Sequence, residues 1–251
     1  LDQNDYKRAI GVYQSLLRAY PNYAGNDRVT YQLARAYDEV GDHKQALATL
    51  DRLVSNYPHS AYRPEAQFRR GELLFGLRSY GEAERAYAQV VAKGEASPFY
   101  ERALYMHGWS QFKQGHYDKA LNSFLAVLDR KLIGRDTGEA LESITTLTSA
   151  DRELVEDSFR VVSISLSGLQ GAESIPAYFQ DSGRREYEFR VYQQLGELYF
   201  KQERIKDAAD TYNAYARRYP THPQAPLLQV RVIDAYQKAG FVALALETKQ
   251  E

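Results

Sequence analysis

Ala9, Ala46, Ala83 and Ala120 stand at equal intervals of 37 residues, and the residues around them keep the same step. Tyr13, Leu50, Tyr87 and Phe124 repeat it, as do Leu16, Leu53, Val90 and Val127, and the polar-edged set Tyr6, His43, Tyr80 and Tyr117. Upstream of the last three alanines, Ala34, Gly71 and Gly108 share the same spacing. A fixed period with a small residue at constant phase marks a stacked repeat, in which no unit buries its own apolar face and neighbours must pack into one continuous core.

Each unit holds two helical stretches. Val29, Leu33, Ala36 and Val40 keep a three-to-four residue rhythm, and Ala46, Leu50, Leu53 and Val54 resume it after Gly41-Asp42. This reads as an amphipathic helix, a tight turn and a second amphipathic helix. Gly41 and Gly115 end first helices where a left-handed residue is wanted, and Asp42 or Asp118 opens the next. Pro21, Pro58 and Pro220 follow second helices, where proline stops continuation. Ala46 and Gly71 mark helix crossings, because two helices approach closely only where no bulky side chain stands between them.

The run Leu33-Ala34-x-x-Tyr37, then Gly41, Ala46, Leu50 and Pro58, resembles the tetratricopeptide repeat. Gly108, Gly115, Tyr117, Ala120 and Phe124 match it again, as do Tyr192, Leu195-Gly196, Tyr199, Ala208, Tyr212 and Pro220. The usual step is about 34 residues, so each linker here is about three residues longer. The resemblance implies an all-α, right-handed α-solenoid of stacked helix-turn-helix units with one degenerate unit. Residues 1–130 are expected to form units one to four, the first partial, and 187–251 further units, the last cut short.

Residues 131–186 break the phase. The polar stretch from Lys131 to Glu139 contains two glycines and reads as a loop or short helix. Phe159, Val162, Leu166 and Leu169 keep helical spacing up to Gly171, with a shorter partner from Ala172 to Phe179. Val162, Ile164 and Leu166 also alternate with serines, which is a strand rhythm. The helix is preferred, because an isolated strand in a helical stack has no partner for its backbone groups.

Catalytic signatures are missing. No two glycines are separated by a single residue and no glycine precedes lysine, so neither dinucleotide nor phosphate loops can be written. The five histidines show no pair at metal-ligand spacing on a helix, and there is no cysteine, so no metal, cofactor or thiol chemistry is expected. A net charge of −1 lacks the basic footprint of nucleic-acid binding. No uncharged run exceeds that of Val161 to Ala172, which is too short to span a bilayer.

A binding face is better supported. In repeats of this kind the first helices line the inner wall, at positions three before, one after and four after the small residue. Those positions are Tyr31, Arg35 and Asp38; Phe68, Glu72 and Phe75; Tyr105, Trp109 and Phe112; and Gln193, Glu197 and Phe200. Tyr31, Arg35, Phe68, Glu72, Phe75, Tyr105, Trp109 and Phe112 are therefore the candidate partner-binding residues, since aromatic and arginine side chains dominate binding hot spots. Some of these rings are equally expected to serve as core. The asparagine and lysine set with which one branch of the family clamps a terminal carboxylate is not matched: Arg35, Glu72, Trp109 and Glu197 stand there instead. Tyr-Pro endings at Tyr20-Pro21, Tyr57-Pro58 and Tyr219-Pro220 resemble bacterial cell-envelope members, which implies a periplasmic or outer-membrane-associated scaffold for a protein or peptide partner. Two alternatives stay open: a targeting arm of a longer envelope enzyme, and a self-association module using open terminal repeats.

Overall fold

The computed structural model describes residues 3–133, 147–180 and 185–248, and among them there are thirteen α-helices and no strand. The expected loop from Lys131 to Glu139 lies outside the described residues from position 134 onward, and Lys131 and Leu132 still belong to a helix. Contacts divide the chain into two units, Leu1–Gly115 and His116–Glu251.

The first unit holds α1 (Gln3–Ala19), α2 (Asn26–Glu39), α3 (His43–Asn56), α4 (Arg63–Gly76), α5 (Tyr80–Val91) and α6 (Tyr100–Lys113). Each helix packs on the one before it in the chain. The second unit holds α7 (Tyr117–Leu132), α8 (Ser149–Ser167), the single turn α9 (Ile175–Tyr178), α10 (Glu188–Lys201), α11 (Ile205–Arg218), α12 (Ala225–Lys238) and α13 (Val242–Thr248).

The alanines at the repeat phase are where stacking requires them. Ala46, Ala83, Ala120 and Ala208 have no exposed surface and Ala245 almost none. Ala9 is only half-buried, because α1 has a neighbour on one side and buries no residue completely. In α4 and α10 the small residue faces the bulky residue sixteen positions later. A methyl on Gly71 would sit 2.6 Å from the Tyr87 ring, and one on Gly196 would sit 2.2 Å from the Tyr212 ring. Where the partner is the smaller Leu50, alanine is accommodated as Ala34, and both lie in one hydrophobic cluster. Glycine and tyrosine, or alanine and leucine, thus fill the same space between two helices.

The turns between the paired helices also follow the period. Gly41, Gly115 and Gly240 adopt φ of 80°, 78° and 79°, as the left-handed position demands. Arg78 and Glu203 occupy the same phase with φ of 61° and 60°, a conformation that is costlier for a residue with a Cβ. Asp42 caps α3 by accepting a 3.1 Å hydrogen bond from the Gln45 amide, so the residue after the turn does open the second helix.

The 149–167 segment is a helix, not a strand. Its serines are tolerated because Ser158 and Ser163 donate to the carbonyls of Leu154 and Phe159 at 2.7 and 3.0 Å. Its partner is degenerate for a visible reason. Counted back one step from α11, the second helix of this unit should run over about 168–181, but Gly168, Gly171 and Pro176 fall inside it. Gly171 takes φ of 62°, and only the 3-10 turn Gly171–Ser174 and the one-turn α9 form. Ile175 and Phe179 still enter the core, at the phase of Tyr212 and Ala216. Beyond it, Arg185 grips Asp129 of α7 with two 2.8 Å bonds and the Tyr178 carbonyl with a third of 2.6 Å, while the Tyr187 hydroxyl donates to Asp129. This charge-assisted clamp fixes the chain's entry into α10.

Candidate functional site

In the first unit the candidate residues fall on α2, α4 and α6, but not all on a free surface. Of the rings open to either role, Tyr31 and Phe68 are core, 3% and 2% exposed. Tyr62 stacks on Tyr31 at 5.0 Å and Phe99 on Phe68 at 5.3 Å, each ring coming from the residue just before the next first helix. Tyr62 and Phe99 are themselves 37 residues apart, so this covering pair belongs to the repeat and was readable as such. Burial, with the neighbouring Glu65 adding to it, pushes the Tyr31 hydroxyl up to about 12. That hydroxyl accepts from Arg69, which also holds Glu65 at 3.0 Å.

The remaining residues are at least partly open. Glu72 and Phe75 are half-buried on α4. Glu72 bonds Arg102 of α6 at 3.2 Å, and the Arg102 guanidinium lies 4.9 Å from the Phe68 ring centre. Burial raises the Glu72 carboxyl above its ordinary range, and Arg102 and Arg69 oppose that shift. Phe75 meets Tyr80 edge-on at 5.2 Å. Arg35 is exposed.

On α6, Tyr105, Trp109 and Phe112 form one aromatic band. Trp109 meets Tyr105 edge-on at 6.3 Å and Phe112 at 5.5 Å, and Lys113 lies over the indole at 5.6 Å. Their spacing of four and three puts the rings on one helix face, and all three are half-buried. The band offers rigid, amphipathic contact area with a cation at its edge.

The second unit repeats part of this arrangement. Glu197 occupies the phase of Glu72 and bonds both Gln193 at 3.1 Å and Arg231 of α12 at 2.9 Å. Phe200 occupies the phase of Phe75 and lies 5.7 Å from the Lys238 ammonium. A small cavity of about 90 Å³ lies among these residues. A larger open cavity of about 790 Å³ sits where the shortened partner of α8 leaves room, walled by α11 and the turn after α8. The sequence signal for it was Gly168, Gly171 and Pro176 read in phase with Ala208.

Among the described residues no group of three His, Asp or Glu side chains is placed to hold a metal ion, and no helix is long and apolar enough to cross a membrane.

A family model of the tetratricopeptide repeat matches residues 1–64, and a second model with the same description matches 102–130 and 190–222, together about half of the chain. The chain belongs to the tetratricopeptide repeat family. Solved structures similar to this tetratricopeptide repeat protein include MamA, at 18% identity and a TM-score of 0.47, over 80% of this chain and 86% of that one. A tetratricopeptide repeat protein from Parabacteroides merdae matches at 15% identity and a TM-score of 0.47, over 100% of this chain and 94% of its own. YrrB, described as having an unusual peptide-binding site, matches at 15% identity and a TM-score of 0.44, over 85% of this chain and 96% of its own. No curated protein matches the chain.

Proposed function

We propose that this tetratricopeptide repeat protein is a non-catalytic scaffold that captures a peptide or helix of a partner protein on the first-helix face of residues 1–115, within a bacterial cell-envelope complex. The observation that carries the reading is the Tyr105–Trp109–Phe112 band with Lys113 at its edge, continued on the same unit by Phe75, the Glu72–Arg102 pair and Arg35. The stacking positions of the repeat do not need these side chains: one step earlier, Trp109 is Glu72 and Glu72 is Arg35. The envelope assignment, periplasmic or outer-membrane-associated, rests on the Tyr-Pro endings described above.

Trp109→Ala is expected to weaken partner capture by on the order of 2 kcal/mol while leaving helicity intact. The check is a pull-down from envelope extract with wild-type and variant bait, with circular dichroism of both. Equal capture by the two takes the indole out of the binding face, and loss of helix in the variant places it in the core; either result removes the reading. Recovery of partners only from cytosolic extract removes the envelope assignment and leaves the binding face standing.

Self-association has an observation of its own. Leu227, Val230, Phe241, Val242 and Leu246 of the last hairpin are about half exposed or more. Association through this face predicts a sedimentation coefficient that rises with protein concentration and is held at the monomer value by Val242→Glu together with Leu246→Glu. A constant monomer value for the wild type dismisses it.

A further inference from the structure

Residues that stacking requires recur at the repeat step, and those that occur in one unit only are released from that duty. One group of the second kind surrounds a cavity of about 250 Å³ at the junction of the 57–62 loop, the first turn of α4 and the end of α5. Its polar wall is His59, Ser60, Arg63, Gln67, Gln89 and Lys93, with Pro58 and Pro64 as stiff apolar sides. One step earlier, His59, Arg63 and Gln67 are Asn22, Asn26 and Thr30; one step later they are Ala96, Tyr100 and Leu104. The basic cluster is particular to this junction.

Its charges are unanswered. The lining contains no carboxylate. The other two arginines of α4, Arg69 and Arg70, pair with Glu65 and Asp51. Arg63 has no such partner among the described residues, and its Nε is buried without an acceptor. Gln67 is only 6% exposed and lines the same cavity. Ser60 is held by Asp27 at 2.6 Å, and this carboxylate does not line the cavity. The Arg63 guanidinium and the Gln67 side-chain N–H groups are donors this wall offers to an anion; the Gln67 oxygen, an acceptor, takes no part. The fourteen-residue α4 also begins here, and its N-terminal end adds a partial positive charge.

We propose that this cleft is an oxyanion site, taking a carboxylate or phosphate group with Arg63 and Lys93 as the cationic contacts and Gln67, Gln89 and His59 as hydrogen-bonding partners. The volume admits such a group with a few attached carbons. The site uses none of the first-helix residues assigned to partner capture and does not depend on that reading.

The test titrates the full chain with inorganic phosphate and, separately, with succinate at low ionic strength, following the Arg63 Nε–H and Gln67 side-chain amide resonances. A saturable shift with at least one anion is expected, weakened by about ten-fold or more in Lys93→Gln, as loss of a charge-assisted contact demands. Lys93 is exposed, so its replacement leaves the fold intact, and Arg28→Gln on the same unit should leave the affinity unchanged. Saturation by phosphate alone assigns a phosphate group, and by succinate alone a carboxylate. Shifts that stay linear with both anions, or equal affinity in wild type and Lys93→Gln, overturn the proposal.

Discussion

Replacing Gly71 and Gly196 together by alanine is expected to destabilise the protein by about 2–5 kcal/mol, although alanine is the better helix former by about 1 kcal/mol at each site. Both glycines lie inside helices, so on propensity alone the change should stabilise. Packing decides the sign. The added methyls would stand 2.6 and 2.2 Å from the buried rings of Tyr87 and Tyr212, well inside contact distance. Tyr87 is completely buried, and Tyr212, 3% exposed, borders the cavity of about 90 Å³, so the Tyr87 ring is the more tightly held of the two. Gly11, in the middle of α1, is the internal control: no atom lies within 4 Å of its missing Cβ, so Gly11→Ala should stabilise by up to about 1 kcal/mol. Urea unfolding of the double variant and of Gly11→Ala beside wild type checks the pattern. Stabilisation in both variants would mean that the helix crossings are looser than described.

Alkaline pH should unfold the protein in a narrow range. Burial, the leading cause in each case, pushes the hydroxyls of Tyr31 and Tyr212 up to about 12 and those of Tyr87, Tyr192 and Tyr215 higher still. The folded state therefore keeps these phenols neutral while the unfolded chain releases their protons near pH 10. Above that pH the unfolded state binds fewer protons, so stability falls as pH rises; it is complete below about 10 and is lost toward the folded-state values. The loss is at most about 1.4 kcal/mol per buried tyrosine per pH unit, and five such groups act together. Against a typical stability of about 5–15 kcal/mol, unfolding is expected about one to two units above pH 10. The measurement is phenolate absorbance near 295 nm alongside helical circular dichroism. Of the 21 tyrosines, the exposed ones should titrate gradually and the buried ones should ionise in a single step with helix loss. Smooth titration of all of them with helix retained would show the rings to be open to solvent.

The architecture was legible because stacking acts on every unit and writes the same residue at the same phase each time. Ala46, Ala83, Ala120 and Ala208 could be placed in the core from spacing alone, and Gly41 and Gly115 in left-handed turns. The binding face was less legible, because a ring at an inward phase can be covered by a residue from the next linker. Tyr62 and Phe99 do this to Tyr31 and Phe68, and that contact spans two units, beyond the reach of helical periodicity. Trp109 and Phe112 escape this fate in part, since each remains half-buried. The hollow beside α11 was hidden for another reason: it comes from a helix that fails to form, and only counting back from Ala208 reveals that Gly171 and Pro176 interrupt one. The oxyanion cleft was missed because its residues lie outside the helical stripes and are recognised by not recurring.

The size match between a first helix and the bulky side chain of its partner sets the packing of α2 on α3, α4 on α5 and α10 on α11, and a double-mutant cycle measures it most directly. Gly71→Ala, Tyr87→Leu and the double variant, which recreates the Ala34–Leu50 pair of the preceding unit, are compared by native-state hydrogen exchange of amides in α4 and α5. The double variant should be more stable than the sum of the single effects by at least about 1 kcal/mol. Strict additivity, with the leucine giving no relief to the alanine, would contradict the account.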